Sequence, residues 1–227
     1  MMSDQQRSPE LLLVGLDIGG TKIEALAVDQ ELTPRARAVV ATQTDSPAAL
    51  VESIERAIDR ALGEMDASPV QIGAIGCGIP GQVEHATGMV RNAVNLSLSR
   101  FPLGPTLSDS FGCAVVLEND VRLAAIGVYH WLRRTDPARY RALEDLVYVS
   151  IGTGLAAGLI LNGRIYRGSR GMAGELGHVP LDPAGAPCNC GARGCLETTI
   201  SGPGLLRQTE KALINAPQNA PQSALHT

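Results

Sequence analysis

Aromatic residues make up only 3% of this 227-residue chain, too little to build a platform on which nucleic-acid bases could stack. Dense runs of basic residues are missing as well. With 19 Lys and Arg against 23 Asp and Glu, the formal net charge is -4, and no stretch advertises a nucleic-acid surface. No apolar run is long enough to span a membrane: "LLLVGL", residues 11–16, passes directly into a glycine turn. The polar start "MMSDQQRSPE" lacks the basic opening, long apolar segment and small-residue cleavage site of a signal peptide, so the cytoplasm is the expected location, with no membrane partner. Thiols stay reduced there. Clustered cysteines in such a chain point to metal before disulfide.

At 44% hydrophobic, the chain can bury the core of one large domain or two small ones. Residues 11–29, "LLLVGLDIGGTKIEALAVD", are two apolar runs around a Gly-Gly-Thr turn, the pattern of a β-hairpin. The spacing does not fit a strand-to-helix phosphate loop of the Walker type. Residues 46–62 predict a helix, with Ser46 as N-cap, Pro47 at its first position and apolar residues at Leu50, Ile54, Ala57, Ile58 and Ala61. "IGAIGCGIPG" reads as a buried strand, and "HATGMVRNAVNLSLSRFPLG", residues 85–104, as a loop. "CAVVLEND" is a short strand, followed by a helix over 121–134 and a polar stretch marking a domain boundary near 133–145. A second strand-turn-strand unit follows, "LVYVSIGTGLAAGLILNG". Aligning Asp17 with Ser150 superposes the two glycine-rich hairpins and suggests two related α/β halves. The final residues, rich in Ala, Pro, Asn and Gln, are expected to fray.

Glycine turns at strand ends let a phosphate approach main-chain N–H groups, and "DIGGTK" adds a hydroxyl, a lysine and an aspartate suited to a metal-bound water. Either unit alone reads equally well as a plain hairpin. In "ENDVRLAA", Asp120 stands where a strand meets a helix, a position that faces a cleft in open α/β sheets. There it could take a proton from a hydroxyl while Asn119 binds a neighbouring one, or the pair could simply cap the helix. Finally, Cys188, Cys190 and Cys195 with His178 form a Cys3His set that suits tetrahedral Zn2+ in a closed structural site, the alternatives being buried thiols or a redox pair.

The series "DIGGTK", "GIPG", "AVNL", "ENDVRLAA", "SIGTGLAAGLILNG", "GMAGELGH" and "CNCGARGCLE" resembles the ROK family of bacterial sugar kinases and repressors, from about Leu11 to Leu206. The resemblance implies an α/β chain with the two-domain hexokinase, actin and Hsp70 ATPase fold (ribonuclease H-like), its cleft holding nucleotide and sugar. Residues 10–133 would carry the first phosphate loop and the catalytic aspartate, 145–210 the second loop and the zinc motif, and 211–227 a frayed tail. Asp120 is then the general base toward a sugar hydroxyl, normally the 6-OH. Gly81, Asn95, Asn119, Glu175, His178 and Glu197 match sugar-binding positions. His178 would bind structural zinc through one ring nitrogen and sugar through the other. Gly19, Gly20, Thr21 and Lys22 match the first ATP phosphate loop and Gly152, Thr153 and Gly154 the second, with Asp17 orienting Mg2+ through its water shell.

This chain departs from the family pattern in places. Ala156 replaces a glycine of the second loop, Val121 and Arg122 stand where Ala-Asn is usual, and the tryptophan expected after Asn95-Leu96 is missing from "SLSRF". The sequence also ends early, so weakened ATP binding and an exposed apolar face are expected. The implied activity is ATP-dependent phosphorylation of a hexose, with glucose first, then N-acetylated or epimeric hexoses and cyclitols, in a homodimer. A silent sugar-binding remnant is the alternative. A sugar-responsive repressor is the other, although ten polar residues before the first strand leave no room for a DNA-binding helix-turn-helix.

Overall fold

The computed structural model describes residues 11–65 and 67–214. The first hairpin forms as expected, from β1 (Leu12–Ile18) and β2 (Lys22–Val28), and continues into an antiparallel β3 (Pro34–Ala41). Sequence reasoning passed over β3 because its buried face consists of small residues, Ala36 and Ala38 with Val40, interleaved with Arg35 and Arg37. Helix α1 (Pro47–Gly63) starts where the cap predicts, the Ser46 side chain accepting from the Ala49 amide at 3.2 Å. Its fully buried Leu50, Ile54, Ala57 and Ile58 lie against β2 and β3. Each of the leucine and isoleucine side chains among them contributes roughly 1.5–3 kcal/mol on burial.

Strand β4 (Ile72–Ile79) adds to β1 in parallel and β8 (Ala114–Asn119) adds to β4 in parallel, giving the order β3-β2-β1-β4-β8. Between β4 and β8 the structure corrects the expected loop. Strands β5 (Gln82–Glu84), β6 (Met89–Ala93) and β7 (Leu98–Phe101) form a small antiparallel sheet, followed by α2 (Leu103–Phe111). These strands are short, and their buried residues Val90, Ala93 and Leu98 are separated by Arg, Asn and Ser, so turn chemistry dominates the local signal.

Helix α3 (Asp120–Thr135) leads through a short α4 (Pro137–Tyr140) to the second hairpin, β9 (Leu146–Ile151) and β10 (Leu155–Leu161), with a brief third strand β11 (Arg164–Ile165). Two short elements close the described chain, α5 (Glu197–Ile200) and α6 (Gly202–Ile214). Of the tail expected to fray from residue 211, Lys211 to Ile214 are helical instead, as part of α6, and the rest lies outside the described residues. Among the described residues, no helix is long and apolar enough to cross a membrane.

The aligned hairpins differ in how they are covered. In β1, Val14, Leu16 and Ile18 are at most 2% exposed, whereas their counterparts Val147, Val149 and Ile151 in β9 are 59%, 47% and 60% exposed. Val147, Val149 and Ile151 thus form an exposed apolar stripe on β9.

Helix α3 lies between the two hairpin sheets, packed on β10 and β9 on one side and on β4 and β8 on the other. Glycine permits the approach on both. A Cβ on Gly158 of β10 would fall 2.4 Å from the Ala125 Cβ, and one on Gly78 of β4 would fall 3.0 Å from Leu123 Cδ2. Gly158→Ala should accordingly destabilise the protein by about 1–3 kcal/mol through overpacking. Gly127→Ala, on the exposed side of α3 with nothing within 4 Å, should stabilise it by about 0.4–1 kcal/mol. Denaturant unfolding of both variants decides the point, and equal effects would contradict the packing.

Candidate active site

The strand-to-helix junction after β8 divides two tasks between neighbours. Asn119 is the cap: its Oδ1 accepts from the amides of Val121 (3.1 Å) and Arg122 (3.2 Å), and its Nδ2 donates to the Gly81 carbonyl at 3.3 Å. Gly81 has φ +95, and a Cβ there would sit 2.2 Å from the Asn92 oxygen, so only glycine can present that carbonyl. Asp120 is thereby free of the capping role. Its one described side-chain hydrogen bond is accepted from the Val121 amide at 2.9 Å, and the carboxyl faces a cleft of about 360 Å3.

That cleft is lined by Leu16, Asp17 and Gly78 from one sheet, Tyr148 and Ser150 from the other, and the first turns of α3. Asp17 and Asp120 thus meet in one space. Burial raises the Asp120 pKa above the ordinary carboxylate value, the negative charge of Asp17 adds to the rise, and the Val121 amide works against both. A carboxyl of this kind binds its proton more readily than a solvated one, as a general base requires.

The glycine hairpins flank the cleft. In the first, the Gly19 amide donates to the Lys22 carbonyl at 2.9 Å, and Thr42 beyond β3 pins the turn through Oγ1 to the Gly19 carbonyl at 2.7 Å. Gly20 packs on Asn95, where a Cβ would lie 3.1 Å from the Asn95 oxygen. Thr21 is exposed, as is Lys22, whose charge acts on Glu24, itself gripped by Arg37 at 2.6 and 2.9 Å. In the second, the Gly152 amide donates to the Gly154 carbonyl at 2.9 Å, Thr153 is exposed at the tip, and the Gly202 amide at the start of α6 donates to the Gly152 carbonyl at 2.8 Å.

Glu197 accepts from the Leu155 amide at 2.9 Å through Oε2, tying the second hairpin to the cysteine segment. His178 stands between two groups: Nδ1 is 3.6 Å from Cys188 Sγ, and Nε2 is 3.9 Å from a Glu175 carboxylate oxygen. Cys190 and Cys195 sulfurs are 3.6 Å apart, and one ligand atom from each of His178, Cys188, Cys190 and Cys195 falls within 4.8 Å of all the others. Metal–sulfur bonds near 2.3 Å in a tetrahedron imply sulfur separations of about 3.8 Å, so the four residues fit a zinc ion.

Sequence reasoning missed Tyr148 as a lining residue and Thr42 as the anchor of the first turn. Thr42 carries no local signal, since its partner is 23 residues away. Ser150 was within reach, because the alignment of the hairpins sets it opposite Asp17.

Two hairpin sheets around a shared helix, with a cleft at their base, define the actin-like ATPase fold. The chain belongs to the ROK family, whose model matches residues 13–226. It is 36% identical over 86% of its length to a glucokinase of Halalkalibacterium halodurans, covering 58% of that protein. It is 33% identical over 88% of its length to an N-acetylmannosamine kinase of Citrobacter koseri, covering 65% of it. Among solved structures, the ROK glucokinase of Streptomyces griseus in complex with glucose and AMPPNP superposes with a TM-score of 0.72 at 33% identity, over 90% of this chain and 62% of that one. The chain thus spans about three fifths of the length of such relatives.

Because the folded-state pKa of Asp120 lies above its unfolded value, the stability this group allows is complete below the unfolded pKa and is lost as pH rises through the folded one. Asp120→Asn, which keeps the hydrogen bond to Val121, should therefore raise Tm at pH 7, by roughly 2–4 °C for each kcal/mol recovered. The gap to wild type should close below about pH 4. A lower Tm for the variant at pH 7 would contradict the strained carboxylate.

Proposed function

We propose that this protein transfers a phosphoryl group from Mg-ATP to a hexose hydroxyl, with glucose the first acceptor and N-acetylated hexoses next. The observation that carries the reading is Asp120, a half-buried carboxylate of raised pKa facing a cleft between two glycine hairpins, with Asp17 across from it. Asp120 accepts the proton of the attacking hydroxyl. Asp17 orients the magnesium of the nucleotide through water. Amides of Gly20, Thr21, Thr153 and Gly154, with Lys22, hold the phosphates, while Gly19 and Gly152 shape the two phosphate loops by closing their turns through their own amides, so that positioning and charge neutralisation supply most of the rate. Gly81, Asn95, Asn119, Glu175, His178 and Glu197 form the sugar side. Asn119 would reach the sugar from a side chain already fixed by its cap and by Gly81, which orients it in advance.

Zinc would be held by His178, Cys188, Cys190 and Cys195 and would supply structural fixation of the loop that carries Glu175. His178 then presents Nε2 toward the sugar pocket beside Glu175. Likeness to relatives named glucokinase and N-acetylmannosamine kinase supports a hexose as acceptor. The lobes proposed are residues 10–133 and 145–210, assembled as a homodimer.

The direct test is release of ADP from Mg-ATP by the purified chain with a panel of hexoses. Hexose-dependent turnover is expected, and Asp120→Ala should lower kcat/KM by roughly 10²–10⁴. Hexose binding without turnover would replace the kinase reading with that of a sugar-binding protein. Metal analysis of the native chain should give about one zinc per chain, lost in Cys190→Ser. A zinc content near zero in the wild type would remove the Cys3His proposal.

A further inference from the structure

Glu118, two residues before Asp120, is only 4% exposed yet belongs to neither the sugar nor the phosphate side of the cleft. Its carboxylate is surrounded. Oε1 accepts from the Asn119 amide at 3.0 Å and stands 2.9 Å from Arg122 Nε, a close ion pair rather than an aligned hydrogen bond. Oε2 accepts from Arg167 Nε at 2.7 Å, and His85 Nδ1 lies 3.8 Å away while contacting the Leu117 carbonyl at 3.0 Å. Arg122, 3% exposed, also donates from Nη1 to the Gly171 carbonyl at 2.9 Å. The Arg167 carbonyl in turn accepts from the Ala173 amide at 3.0 Å.

These contacts join two places that the sequence keeps 49 residues apart. One is the end of β8, where Asn119 and Asp120 emerge. The other is the loop from Arg167 to Gly174, which runs directly into Glu175 and His178. A single cation would have satisfied Glu118. Two arginines on one carboxylate, one of them also gripping the loop backbone, are more than neutralisation of that charge requires, and their placement ties the loop to the end of β8.

We propose that Glu118, Arg122 and Arg167 form a positioning cluster that holds the Glu175–His178 loop in register with Asp120, and so sets the affinity for the sugar. The proposal rests on the sugar-kinase reading for its ligand. None of the three lines the cleft beside Asp120; they act through the loop and through Asn119.

Arg167 is the residue to change first, since its side chain is 32% exposed and its loss leaves Arg122 paired with Glu118. In Arg167→Met, amide hydrogen exchange across residues 171–178 should accelerate about tenfold, and the glucose Kd measured by calorimetry should weaken about tenfold. The KM for the sugar should rise in step while that for ATP stays within about twofold. Arg167→Lys, which keeps the charge but not the planar fork, should recover part of both effects. Arg122→Met should repeat the pattern, and if it fails to fold, the Arg167 pair still decides. Unchanged loop exchange in Arg167→Met, or sugar and ATP constants that shift together, would overturn the proposal. A wild-type chain that binds no hexose would overturn the kinase reading instead, and the exchange rates would then decide the positioning role alone.

Discussion

The close approach of α3 to two strands at once is the constraint on which the site depends. Gly158 and Gly78 lie opposite the helix on its two sides, and the helix begins with Asp120. A side chain at Gly158 would push β10 away from the helix, whereas one at Gly78 would require the end of Leu123 to give way. Asp120 is therefore placed by packing rather than by its own side-chain hydrogen bonds, of which one is described, accepted from the Val121 amide. Burial raises the Asp120 pKa and the charge of Asp17 adds to the rise, whereas further amide bonds of the kind a cap makes would lower it. Asn119 takes the cap and frees its neighbour.

Around this helix the remaining parts are held by contacts distant in sequence. The first turn is pinned by Thr42, the second by Glu197 and Gly202, and the loop leading into Glu175 by Arg122 and Arg167. A metal ion bound by His178 and the three cysteines would fix the same loop from its other end. Contacts of this kind order a loop in advance, which lowers the ordering cost of binding a small polar ligand.

Much of this was legible from residues alone. Both hairpins, α1 with its serine cap, the strand-to-helix setting of Asp120 and the Cys3His set carry local patterns, and the structure forms each of them at the expected residues. The small β5–β7 sheet was not legible, because its strands are too short for alternation to outweigh Thr87-Gly88 and the turn at Ser97, which has φ 54. The charge cluster at Glu118 was also hidden. Arg122 read only as a departure from the family pattern, and its meaning lies in a carbonyl 49 residues away. Long-range polar pairing of this sort has no sequence period.

The exposed stripe on β9 separates the two halves of the internal repeat. Val147, Val149 and Ile151 keep the apolar character of Val14, Leu16 and Ile18 while lacking their cover, so the two halves share a strand pattern but not an environment. What the halves do share is the cleft side, where Asp17 and Ser150 face Asp120. The central claim is that this shared space carries phosphoryl transfer with Asp120 as base. Phosphorus NMR of the purified chain with Mg-ATP and glucose tests it most directly. The account predicts a hexose phosphomonoester appearing together with ADP, and no such signal from Asp120→Asn. Inorganic phosphate without a sugar ester, or an undiminished ester signal from the variant, would contradict it.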